Sequence, residues 1–242
     1  MSAATGGTAA EGPAAQAPAP IRDAATVIVL DRDRPAGPSV LMGQRGAGAA
    51  FMPSKYVFPG GAVDPADAEA GFEAALDPHT RRLLSLEPRE GSAIAPGAIV
   101  AAALRELAEE TGLLVGRPGE APAGWHHYAG AGLAPDPAAL GYLFRAITPP
   151  GRTRRFDARF LILDAGAIAG DRDDFSAAED ELSHLHWVPL AEARALDLPF
   201  ITEVVLAEIA GLLAAGEALR TPPSVPFFDN RGPQPRFCRI GA

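Results

Sequence analysis

The chain has 242 residues, long enough for one large domain whose core needs no covalent staples. A hydrophobic fraction of 48% with a single cysteine, Cys238, fits an ordinary globular chain and excludes an intramolecular disulfide framework. The formal charge of −9 weighs against a nucleic-acid partner, because binding the phosphate backbone requires a basic footprint.

Residues 1–20 are almost entirely Ala, Gly, Pro, Thr and Ser. Such a segment cannot bury enough surface to offset its ordering entropy, so a disordered tail is expected, followed by a single domain over 21–242. The tail lacks the basic start and apolar core of a signal peptide. No apolar run reaches the roughly 20 residues that cross a bilayer. A cytoplasmic protein with no membrane partner is expected. Ala24–Leu30 and Ser39–Arg45 read as strands joined by the Pro/Gly/Asp-rich turn Asp31–Pro38. Tyr56–Phe58 is a third extended piece, stopped by Pro59-Gly60-Gly61, where glycine permits close backbone approach.

Residues 65–97 carry two helix candidates, Asp67–Leu76 and His79–Leu86. A longer helix is predicted from Ala98 to Thr111, ended by Gly112 at a C-cap position. Gly116–Gly124 reads as a loop. Tyr142–Ile147 and Phe156–Leu163 read as strands joined by the turn Thr148–Arg154, Leu182–Val188 as another strand, and Phe200–Ala215 as a closing helix. Strands before and after a central helix predict an α/β protein with one mixed sheet between helical layers.

The chemistry concentrates in Leu104-Arg105-Glu106-Leu107-Ala108-Glu109-Glu110-Thr111-Gly112-Leu113. At about 100° per residue, Glu106, Glu109 and Glu110 share one helix face, and Leu104, Leu107 and Thr111 lie opposite. Like charges three and four residues apart destabilise a bare helix by a few tenths of a kcal/mol per pair. Such a face invites a compensating cation, and hard ions such as Mg²⁺ or Mn²⁺ prefer carboxylate oxygens. An isolated Glu-x-x-Glu-Glu would more often be a solvated acidic face.

The surrounding residues favour the cation. The stretch resembles the second half of the Nudix box, Gly-x5-Glu-x7-Arg-Glu-U-x-Glu-Glu-x-Gly-U, with U a bulky aliphatic residue. Arg105, Glu106, Leu107, Glu109, Glu110, Gly112 and Leu113 fill every position. Upstream, Phe58-Pro59-Gly60-Gly61 resembles the usual lead-in, and after five intervening residues Gly61 is followed by Asp67, where the family usually has Glu. Between Asp67 and Arg105 lie 37 residues where the family has seven, so an insertion over 68–97 interrupts the box. This is similar to the Nudix branch that contains peroxisomal coenzyme A diphosphatases, as are Phe51-Met52-Pro53 and Arg154-Arg155-Phe156-Asp157-Ala158-Arg159-Phe160. Ala50 and Ser54 stand where many coenzyme A-cleaving members have Arg and Gly, which weighs against that specificity without touching the hydrolase reading.

The resemblance implies a Nudix-type α/β/α sandwich with a mixed sheet and an inserted helical segment. It implies Mg²⁺ or Mn²⁺ held by Glu106, Glu109, Glu110 and the Gly61 carbonyl, with Arg105 orienting a glutamate. It further implies hydrolysis of a diphosphate bond in a small nucleoside diphosphate derivative, coenzyme A or acyl-CoA being favoured over ADP-ribose or a dinucleotide. A ligand-sensing domain without turnover is the reading from another class, and a homodimer follows family habit. A general base is sought in Asp171–Glu181, with Glu179 and Glu181 ahead of Asp180. Arg45, Arg154 and Arg155 are the candidate phosphate contacts, against the alternative of a solvated turn at Arg152–Arg159. His126, His127, His184 and His186 lack a zinc spacing and read as surface or packing residues.

Overall fold

The computed structural model describes residues 19–49, 51–216, 218–232 and 234–242. The expected disordered tail therefore lies outside the described residues except for Ala19 and Pro20, as does Ala50. Strand β1 (Ile21–Asp31) starts three residues earlier than Ala24, because Ile21 to Leu30 pair in parallel with Arg155 to Asp164. The next strands are β2 (Ser39–Arg45), β3 (Tyr56–Val57) and β4 (Gly60–Ala62), then β5 (Leu114–Pro118), β6 (Leu133–Pro135), β7 (Gly141–Ile147), β8 (Arg155–Asp164), β9 (Ile168–Ala169) and β10 (Leu182–Pro189). Two strands unforeseen in the sequence, β11 (Val225–Asp229) and β12 (Arg236–Ile240), close the chain.

The main sheet has the order β10-β2-β1-β8-β7-β11-β12, with β3 on β2 and β4 on β1. The β1–β8 and β7–β11 pairs are parallel and the rest antiparallel, so the sheet is mixed as expected. Alternation along the strands separates two cores. Val27, Val29, Leu161 and Leu163 pack beneath helix α2 (Pro96–Thr111). Ile28, Leu30, Phe160 and Ile162 pack beneath helix α4 (Phe200–Ala214). The result is an α/β/α sandwich. β5 also forms a small separate sheet with β6 and β9, so the predicted loop Gly116–Gly124 begins inside a strand.

The segment between the two halves of the box is less helical than expected. In place of a helix over Asp67–Leu76 there are two 3-10 turns, Pro65–Ala70 and Phe72–Ala75. Gly71 divides them at φ 69°, a left-handed conformation that ends one turn before the other begins. Helix α1 (Pro78–Leu84) follows, capped by the Asp77 side chain accepting from the Thr80 N–H. Glu73 Oε2 accepts from the Gly97 N–H at 2.8 Å, which satisfies a free amide at the start of α2. Farther along the insertion, Arg89 and Ser92 both donate to Asp23 of β1 at 2.8 Å. The insertion is thus tied to the start of the helix and to the sheet, and it leaves the last turn of α2 to other segments of the chain.

Candidate active site

Helix α2 ends at Gly112, whose φ of 75° is the left-handed cap that the sequence anticipates. Its Glu106 is only 9% exposed and Glu110 only 2%, so the glutamate face is no solvated surface. What covers it is the first half of the box. Gly60 and Gly61 pair with Thr26 and Ala25 of β1. A Cβ on Gly61 would collide with the Glu106 carboxylate, and one on Gly60 with the β1 backbone. The Gly60 N–H donates to Glu110 Oε2 at 2.6 Å. Despite the insertion, Gly61 and the glutamates are in contact, as an inserted loop with a small closure cost allows.

Arg105 joins the two halves. Its Nε and Nη2 donate to Asp67 Oδ1 and Oδ2 at 2.9 and 3.1 Å, and Nη2 also reaches the Ala62 carbonyl at 3.2 Å. Nη1 donates to Glu106 Oε1 and Glu109 Oε2, each at 2.9 Å. Asp67 is 2% exposed, and a further donor, the Asp64 N–H at 2.8 Å, completes its surroundings. Asp67, in the sequence only a position of the box, is in the fold the acceptor that joins its two halves. Its place after Gly61 and five intervening residues is the signal that marks it. Burial opposes the charge on Arg105, yet the facing carboxylates of Asp67, Glu106 and Glu109 leave its guanidinium more firmly protonated than usual.

Burial also dominates Glu106, pushing its carboxyl up to about 7, with Arg105 opposing and Glu109 and Glu181 adding to the rise. Burial pushes Glu110 up to about 8, opposed by the Gly60 N–H and reinforced by Glu106 and Glu181. Glu110 Oε1 is buried with no hydrogen-bond partner. An orphaned buried carboxylate oxygen beside a second under-compensated carboxyl is a donor set suited to a hard cation. Among the described residues no three acidic, His or Cys side chains converge closely enough to hold an ion as they stand. Glu106 and Glu109 are turned to Arg105, and Glu110 Oε2 to Gly60. The residues fit a divalent ion in kind and charge.

A prediction follows for the metal-free protein. In the unfolded chain Glu106 and Glu110 ionise near 4.5, whereas in the fold they hold their protons to about 7 and 8. The folded state therefore binds more protons between those values, and the stability from these groups, complete below about pH 4.5, is lost as pH rises to 8. The thermal midpoint in chelator should fall from pH 5.5 to 8, and should fall less in Glu110→Gln. Because cation binding displaces those protons, Mg²⁺ should raise the midpoint more at pH 8 than at pH 6. Identical pH profiles for wild type and Glu110→Gln in scanning calorimetry would refute this account of Glu110.

The two base candidates part company. The Glu179 N–H donates to the Glu109 carbonyl at 2.8 Å, but its side chain is 63% exposed and lies 3.6 Å from His127 Nε2. Glu181 instead meets Arg45, Nη2 to Oε1 at 3.1 Å, and its charge reaches Glu106 and Glu110. Arg45 thus borders the glutamate face. Arg155 does not: it is 6% exposed and donates to the carbonyls of Thr148 and Asn230 at 3.0 and 2.8 Å. That corrects its reading as a phosphate contact, since its charge is spent holding β8 to the loop after β11. Arg159 is likewise buried and pairs with Asp23. Arg152 and Arg154 are exposed in the turn before β8. His184 and His186 lie on the edge strand β10, His186 edge-on to Tyr56, while His126 and His127 open the short helix α3 (His126–Ala131).

No family profile matches the chain. It is 27% identical over 169 residues to the Caenorhabditis elegans protein assigned as nudix hydrolase 7, a match that covers 62% of this chain. The match covers only 46% of that relative, so it reaches about half the relative's length. Among solved structures, a NUDIX hydrolase from Alicyclobacillus acidocaldarius is similar, with 27% identity and a TM-score of 0.59, covering 85% of this chain and 99% of that one. The chain has the Nudix fold, and both motif and sequence likeness support the Nudix hydrolase family for it.

Proposed function

We propose that the chain is a metal-dependent hydrolase of the diphosphate bond in a nucleoside diphosphate linked to a second moiety. The observation that carries this reading is the Arg105 fork, which gathers Asp67 from one half of the interrupted box and Glu106 and Glu109 from the other. A module that only binds ligand has little reason to keep buried carboxylates whose mutual repulsion costs stability. Glu106, Glu109 and Glu110, with the Gly61 carbonyl, would hold Mg²⁺ or Mn²⁺. When bound, such an ion neutralises phosphate charge and lowers the pKa of a water nucleophile. Arg105 keeps Glu106 and Glu109 in place, Arg45 meets a phosphate, and Glu181 accepts the proton from water.

For the substrate, coenzyme A or acyl-CoA is the first choice, on the interrupted box and on Arg154. This arginine is exposed in the turn before β8, where a 3′-phosphate would find a guanidinium. The edge contact of Phe51 with Phe156, centroids 5.2 Å apart, sets the loop after Arg45 beside the strand that follows this turn. ADP-ribose and dinucleotides are the alternative. The test is release of phosphate-bearing products from coenzyme A, ADP-ribose and a dinucleotide, with and without Mg²⁺ or Mn²⁺. Arg154→Ala should raise KM for coenzyme A about tenfold more than for ADP-ribose if one charge-assisted contact is lost. Equal effects would remove the coenzyme A preference, and no metal-dependent cleavage of any of the three would sink the proposal. We also read the protein as cytoplasmic, on composition, and as a homodimer, on the habit of the family it resembles.

A further inference from the structure

Arg45 is hydrogen-bonded at both polar groups of its backbone. Its N–H donates to the Lys55 carbonyl and its carbonyl accepts from the Ser54 N–H, both at 3.0 Å, and it faces Leu182 in the β2–β10 ladder. Its guanidinium is not fully used. Nη2 meets Glu181, while Nε is buried without a partner. Glu181 sits at the end of a loop with its side chain 57% exposed, against 21% for Arg45. A single contact between a half-exposed carboxylate and a positioned arginine contributes little, so breaking it is cheap. A diphosphate offers the same guanidinium two or more oxygens in the planar arrangement that it matches best.

From this geometry we infer that the Arg45–Glu181 pair is an exchange latch, and that an incoming diphosphate takes Arg45 and releases Glu181 toward the carboxylate face. The inference rests on the functional reading above. Before substrate arrives, Arg45 neutralises Glu181 beside Glu106 and Glu110. Once a phosphate occupies Arg45, the freed Glu181 accepts a proton from water as the water oxygen bonds to one phosphorus. The bridging P–O bond breaks with its electron pair leaving on the other phosphate. Arg45 therefore contacts substrate and also positions Glu181, and the two effects are separable.

The test is calorimetric titration of the Mg²⁺-loaded protein with the non-hydrolysable α,β-methylene-ADP, alongside kcat and KM for the best substrate of the panel. Glu181→Gln removes the competitor for Arg45. It should bind the analogue about threefold to tenfold more tightly while lowering kcat. Arg45→Gln should weaken binding about tenfold. In the double variant the tightening caused by Glu181→Gln should vanish, since nothing remains to be released. Arg45→Lys keeps the charge but not the fork, and should recover part of the affinity. A wild type that hydrolyses the substrate while Glu181→Gln binds the analogue no more tightly would overturn the latch and leave the functional reading standing. So would tightening that persists undiminished in the double variant, because the effect would then be general relief of repulsion. A wild type that neither hydrolyses any of the panel nor binds the analogue would overturn both.

Discussion

Glu109→Gln is expected to lower kcat by about tenfold to a hundredfold while leaving the fold intact, the scale expected when a group that supports a catalytic metal is removed. The substitution is isosteric, and the side chain is 35% exposed with Arg105 as its partner. Removing its charge therefore opens no cavity and strands no buried donor, because Arg105 keeps Asp67, Glu106 and the Ala62 carbonyl. The thermal midpoint without metal should be unchanged, or rise slightly above about pH 8, where the Glu109 charge would otherwise repel ionised Glu106 and Glu110. What is lost is an anionic ligand, and with it cation affinity and water activation. Raising Mn²⁺ should recover part of the rate if weakened binding is the cause. Turnover at the wild-type level in steady-state assays would show that Glu109 is no ligand.

Asp67→Ala is expected to cost both stability and activity. Asp67 is almost fully buried, and its two oxygens receive both arms of the Arg105 fork. Deleting one partner of such a pair leaves the other charge buried and underpaired, at a cost of about 3–5 kcal/mol for fully buried pairs. Arg105 retains some exposure and three other acceptors, so about 2–3 kcal/mol is the expected loss in urea denaturation. The freed guanidinium also ceases to hold Glu106 and Glu109 at fixed positions, so kcat should fall as well. Asp67→Glu, which restores the residue type usual in the resembling motif, should keep most of both. If Asp67→Ala denatures at the wild-type urea concentration, the fork is not what joins the halves of the box.

Much of this arrangement could be read along the chain because it is local. The glutamate face of α2 and its Gly112 cap follow from helical periodicity, and β2, β7, β8 and β10 from short apolar runs with turn residues beside them. Gly60 and Gly61 announced a close backbone approach, and the strands and helix meet there. Three features required the folded chain. Arg154 and Arg155 are neighbours in sequence, but strand alternation sends Arg155 into a buried pair of carbonyls while Arg154 stays in the turn. Glu179 and Glu181 were equivalent candidates until β10 paired with β2, setting Leu182 opposite Arg45 and bringing Glu181 to the glutamates. Strands β11 and β12 are short segments, the first with Pro226 inside it and the second directly after Pro235, and are recognisable only once β7 offers β11 an edge. Periodicity along one element reports which face is apolar or charged. Which two elements share an edge, and in what register, is decided by the cooperative burial of both cores. That burial selected Arg45, Asp67 and Glu181 from an arginine-rich and acidic chain.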